Sequence, residues 1–174
     1  MGSGDIEMER MPVQSALATP GDAEIILKLY DLRREAVMRE ARQWVLGEFW
    51  PTTTEEYFAV AGNSAHPQNP YVRQVNSYWE MAAAFVLHGA VSADLFIDCN
   101  QEGLFLLAKY SSFLEDMRKR NPHFMSRTSE LVKRYPAAAA RYEVALRNVG
   151  NMLAARQQTA STASPQYAFP ATKS

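Results

Sequence analysis

The stretch NSYWEMAAAFVLHGAVSADLF, residues 76–96, sets Glu80 and His88 in one of the most apolar segments of the chain. A carboxylate and an imidazole are common parts of acid–base or metal chemistry. On one helix, however, the two lie about 12 Å apart along the axis, too far to hold a small ion without ligands from elsewhere. At 100° per residue, Arg73, Ser77, Glu80, Ala84 and His88 fall in one narrow sector of an otherwise apolar helix. The structural alternative to chemistry is a solvent stripe, or a pair of hydrogen-bonded core residues. A first helix raises the same question, because Leu29, Arg33, Ala36, Glu40 and Trp44 line one side of it. Arg33 and Glu40 then face the core and need a counter-charge or several hydrogen bonds. They belong either to an interhelical ion-pair network or, joined by Glu80 and His88, to a candidate polar pocket between the first and third helices.

No complete reaction motif accompanies these residues, and no catalytic residue, metal ligand or cofactor site is assigned. Ferritin-like di-iron bundles need paired Glu-x-x-His, but the residues three before His66, His88 and His123 are Asn63, Phe85 and Arg120. HExxH, zinc-finger spacings, GxGxxG and GxxxxGK[ST] are absent as well. Ser111 and Ser112 lack the GxSxG setting of a hydrolase elbow. Cys99, the single cysteine, has no histidine nearby in sequence and reads as a small buried thiol. With one cysteine no internal disulfide forms, so a reducing cytoplasm is the expected compartment. The acidic opening MGSGDIEMERMP lacks the apolar core of a secretory signal. The most apolar window, 78–97, contains Glu80, His88, Gly89 and Asp94, which argues against insertion in a membrane.

Net charge is only −1, but its distribution is lopsided. Residues 1–116 carry 8 Lys or Arg against 17 Asp or Glu, whereas 117–174 carry 10 against 2. Arg118, Lys119, Arg120, Arg127, Lys133 and Arg134 form the densest basic run and are the candidate anion-binding residues. Against that stand two structural readings: cations at a helix C-terminus complement its dipole, and acidic and basic halves can pair within the fold. A helix-turn-helix is disfavoured because Leu131, Val132 and Tyr135 look committed to packing.

The positioning elements are all helical. Proline fits the first helical turn, and Thr19-Pro20, Asn69-Pro70, Asn121-Pro122 and Tyr135-Pro136 mark four helix starts. The first helix is expected from Thr19 through about Glu48, the second over Thr52–Gly62, and the third from Pro70 to His88 with Gly89 as its stop. A short turn capped by Ser92 follows. A fourth helix to Arg120 carries the stripe Leu106, Leu107, Tyr110, Phe113, Leu114 and Met117, and two more are expected over Pro122–Arg134 and Pro136–Gln157. No alternating strand pattern competes. The expectation is an all-α, single-domain bundle of about five to six helices over 19–157, with a flexible arm at 1–18 and a disordered tail at 158–174.

The segments LYDLRREAVMREARQW and SYWEMAAAFVLHGAVSADLF resemble an uncharacterised bacterial all-helical family of the domain-of-unknown-function type, over roughly residues 24–150. The resemblance implies the helical fold and transfers no functional residue. The functional expectation is therefore a soluble, non-enzymatic helical protein-interaction or structural module, its partner itself or another protein. The tail aromatics Tyr167 and Phe169 offer a docking peptide, set against the favoured alternative of an unselected flexible end. Nucleic-acid or polyanion binding through the basic region 117–134 and a small-ligand or enzymatic polar pocket between the first and third helices are the alternatives, with nucleic acid the less expected partner.

Overall fold

A computed structural model of the chain describes residues 17–162. Within them the fold is all-α, with no strand, but it contains nine α-helices where five to six are expected. They are α1 (Pro20–Arg34), α2 (Ala36–Gly47), α3 (Thr54–Ala61), α4 (Asn69–Leu87), α5 (Ala93–Cys99), α6 (Glu102–Lys109), α7 (Leu114–Arg120), α8 (Ser126–Arg134) and α9 (Pro136–Thr162). A 3₁₀ turn, Ser111–Phe113, joins α6 to α7. The expected arm at 1–18 lies almost wholly outside the described residues, as does 163–174 with Tyr167 and Phe169. Helix α9 runs past the expected tail boundary to Thr162.

Two of the extra helices come from breaks that carry no proline or glycine, and α5 is the expected turn capped by Ser92. Between α1 and α2, Glu35 adopts φ −54° and ψ 145°. The buried residue of α1 is Leu29, and those of α2 are Met38, Ala41 and Val45. On one continuous helix Leu29 and Met38 would point about 180° apart. The break lets both faces meet the same core. It also corrects the expected stripe, since Ala36 and Glu40 are exposed. The expected fourth helix divides at Tyr110, which is fully buried; Ser111 and Ser112, both weak helix formers, begin the tighter turn.

The expected start of a helix at Pro122 is also corrected. Asn121 instead makes a turn, its side chain accepting from the His123 N–H at 3.2 Å and its carbonyl from the Phe124 N–H at 3.0 Å. Met125 then takes a left-handed conformation, φ 50°, with its side chain buried, and α8 begins one residue later. A non-glycine residue there costs roughly 1–2 kcal/mol, which burial of the thioether side chain offsets.

Elsewhere the local signals hold. Thr19 and Asp22 form a reciprocal capping box, and Thr53 caps α3. Asp22 also accepts from the Ser92 N–H at 2.6 Å, tying the start of α1 to the loop after α4. The core gathers around α4, with Val72, Val75, Trp79, Ala82, Ala83 and Val86 all buried. An aromatic group centred on Tyr57, with Phe49, Tyr110, Phe113 and Phe124 at 5.2–6.3 Å between centroids, closes one end. Gly103 lets α6 approach α4, because a Cβ there would meet the Trp79 ring at 3.2 Å.

Gly89, just beyond α4, has φ +72° with open space around a would-be Cβ. Gly89→Ala therefore exposes only backbone strain and should lower stability by about 1 kcal/mol. Gly89→Asn should cost less, because asparagine tolerates this conformation. Chemical denaturation of both variants checks the order.

Candidate functional site

The polar atoms of α4 bond to its neighbours one by one. Asn69 donates to the carbonyls of Val60 and Ala61 at the end of α3, at 3.0 and 2.9 Å. The Tyr71 hydroxyl reaches Glu40 of α2 at 3.3 Å. Asn76, buried, donates to the Tyr57 hydroxyl at 2.8 Å, and the Tyr78 hydroxyl donates to the Leu29 carbonyl at 2.7 Å. Burial raises the phenols of Tyr57 and Tyr78, the latter to about 12, so both stay protonated at neutral pH.

Glu80 is a cap supplied by another helix. The first residues of α8 have no side-chain partner at Met125, and the Glu80 carboxylate takes that place. Its oxygens accept from the N–H groups of Arg127 and Thr128, both at 2.9 Å, and from the Thr128 hydroxyl at 2.7 Å. A carboxylate at a helix N-terminus satisfies orphan donors and complements the dipole together. Glu80 also lines a pocket of about 200 Å³ with Arg73, Ser77, Asn121 and His123.

The four expected pocket residues do not gather at one point. Tyr71, the partner of Glu40, precedes Glu80 by about 13 Å along α4, so the two carboxylates serve different ends of that helix. Arg33 lies over the rings of Tyr30, at 5.1 Å, and Trp79, at 5.7 Å. His88 is exposed at the C-terminal end of α4. Cys99, expected to be buried, is exposed at the end of α5.

The ion pair that does cross the interior was not among the expected residues. Arg42 of α2 holds Glu102 of α6 through Nε at 2.8 Å and Nη2 at 2.5 Å, and its Nη1 reaches the Arg33 carbonyl at 3.4 Å. The Trp79 Nε1–H adds a third donor to Glu102 at 3.0 Å. The Glu102 carboxylate raises the Arg42 guanidinium further above its usual value. Arg42 has no apolar-stripe signature, and Glu102 lies sixty residues away, so no local pattern joins them.

The other missed residue is Lys109, only 3% exposed. Its Nζ donates to the Val45 carbonyl at 2.5 Å and sits 4.2 Å from the Trp50 ring centroid. Burial, with a smaller push from Arg156, lowers the amine to about 7. The surrounding apolar run GLFLLAK hides the lysine from a periodicity reading.

Most candidate anion-binding cations have acidic neighbours. Arg118 pairs with Glu115 at 3.4 Å, Lys119 with Asp116 at 2.6 Å, Arg120 with Glu55 at 3.6 Å and Arg134 with Glu130 at 2.7 Å. Arg127 and Lys133 make no ion pair among the described residues. Several of these pairs are exposed and contribute little to stability, but they offset the local positive field.

Residues 18–135 match the family described as "Domain of unknown function (DUF4760)". The chain belongs to this family. The match begins near the α1 cap and ends at Tyr135, so α9 lies beyond the DUF4760 segment. No curated protein and no solved structure matches the chain. No helix among the described residues of this DUF4760 member is long and apolar enough to cross a membrane, and no group of three or more His, Cys, Asp or Glu there is placed to hold a metal ion.

Glu80→Ala should lower stability by about 2 kcal/mol and speed hydrogen exchange at the Arg127 and Thr128 amides, with Glu80→Gln intermediate. For Lys109, the folded amine is neutral above about 7 while the unfolded one stays protonated to 10.5. The unfolded state therefore binds more protons in that window, and stability should rise with pH across it by a few kcal/mol at most. Lys109→Met should remove that rise in denaturation curves measured at successive pH values.

Proposed function

We propose that this DUF4760 member is a non-enzymatic helical module that associates with a second copy of itself through the face formed by α1, α2 and α4. The observation that carries the reading is a run of large apolar side chains left in solvent on that face. Leu32 is 46% exposed and Met81 38%, and Val37 of α2 is exposed as well. Beside them lies an open groove of about 410 Å³ lined by Leu32, Glu35, Met38, Gln74, Tyr78 and Met81. Apolar side chains lining an open groove are costly in water and mark contact sites.

A second copy suits the face because it carries both signs of charge. Asp31, Arg34 and Glu35 are exposed and make no ion pair among the described residues. Under a two-fold axis, acid and base on one patch meet base and acid on the other. Helix α1 also buries only Leu29 within its own chain, so its outward face is available. The single cysteine favours a reducing cytoplasm as the setting. Polyanion binding is the less favoured alternative, given the acidic partners of Arg118, Lys119, Arg120 and Arg134.

Light scattering across a concentration series tests the reading. Wild type should give a dimer mass at high concentration, while Leu32→Glu and Met81→Glu, at half-exposed positions, should shift it to monomer with little change in thermal stability. A monomer mass for wild type at every concentration removes the proposal.

A further inference from the structure

Helix α9 is attached to the rest of the bundle unevenly. Its first half contributes Ala138, Ala145 and Val149 as buried residues, the last two packing with Ala108 in a small cluster separate from the main core. From Gly150 to Thr159 no residue is buried. Leu153 packs partly against that small cluster, and Arg156 donates to the Gly47 carbonyl at the end of α2. The Arg156 guanidinium also lies 4.6 Å from the Trp50 ring centroid.

Trp50 is therefore shared by two cations, Arg156 from α9 and Lys109 from α6. Lys109 is the buried one. On its α2 side it meets the Val45 carbonyl; on its α9 side the charged group facing it is Arg156. No carboxylate lies within ion-pair distance of it among the described residues. Glu102 of its own helix is held by Arg42, and Glu48, just past α2, is exposed. A buried ammonium with a cation opposite and no counter-ion gains free energy when water enters or the cation leaves. Moving the distal part of α9 does both.

We infer that the distal half of α9 is a proton-operated latch, released from Trp50 when Lys109 is protonated and docked when Lys109 is neutral. Release uncovers Trp50 and Phe105, which pack edge to face at 6.1 Å beneath it. The sign follows from linkage. In the docked form burial holds the amine near 7, while in the open form water returns it toward 10.5, so the open form binds the proton more tightly. Opening is greatest at and below pH 7. Above it, the open population falls by up to about tenfold per pH unit. This latch is independent of the face assigned to self-association, which lies on α1, α2 and α4.

Hydrogen exchange of the full chain, read by mass spectrometry on peptides from 150–159 and corrected for intrinsic rates, tests it at about pH 6.5, 7.5 and 8.5. Protection in this segment should rise several-fold from the first value to the last, while α4 peptides stay unchanged. Lys109→Met should keep the segment protected at all three values, and Lys109→Arg, charged throughout, should leave it open at all three. Wild-type protection that ignores pH, or the same rise in Lys109→Met, overturns the latch. Should neither Lys109 variant fold by circular dichroism, Arg156→Gln at an exposed position supplies the test. Removing the facing cation should move the rise to higher pH, and an unmoved midpoint overturns the proposal.

Discussion

A helix packed against several others must find a partner for each polar atom on its buried faces, because water cannot reach them there. Helix α4 is under that constraint, and the rest of the fold is arranged around its solution. Asn69 closes the end of α3, Asn76 meets Tyr57, Tyr78 reaches α1, Trp79 meets Glu102 of α6, and Glu80 starts α8. Each bond fixes the rotation and height of a neighbour as well as satisfying a group. Apolar contact alone, being non-directional, would leave those degrees of freedom soft.

The interior charges meet the low-dielectric problem in two opposite ways. Arg42 and Glu102 neutralise one another, and Trp79 and the Arg33 carbonyl take up remaining hydrogen-bonding capacity. That arrangement locks α2, α4 and α6 in register, and removing one partner would strand the other charge. Lys109 has no such partner. It leans on a carbonyl and an indole face, so its charged state is tolerated rather than favoured, and its protonation is coupled to how closely α9 sits. The same fold thus contains one charge that rigidifies and one that responds to pH.

The strength of attachment also varies along the chain. Helices α2, α4 and α6 each bury several residues, whereas α1 buries one and α9 none beyond Val149 up to Thr159. Segments with few buried contacts open most easily. Both helices at the edges of the described structure are therefore where association or release costs least. The DUF4760 match, ending where α9 begins, separates the well-packed body from that last helix.

By itself the sequence determined the all-α class, the capping box at Thr19, the stop at Gly89, the start of α9 at Pro136 and the apolar character of α4, because these depend on periodicity and on residues a few positions apart. What only the tertiary structure decided were the breaks at Glu35 and Tyr110, the late start of α8, and the partners of Glu80, Arg42 and Lys109. Neither break has a proline or glycine; the one at Glu35 lets two stripes face one core, a condition set by the other helices. Pro122 gave a false helix start because Asn121 makes a turn and Glu80, 47 residues before Arg127, caps α8 instead. Hydrogen bonds and ion pairs act over a few ångströms of space regardless of separation in sequence, so residues with no local pattern between them came to hold the structure together.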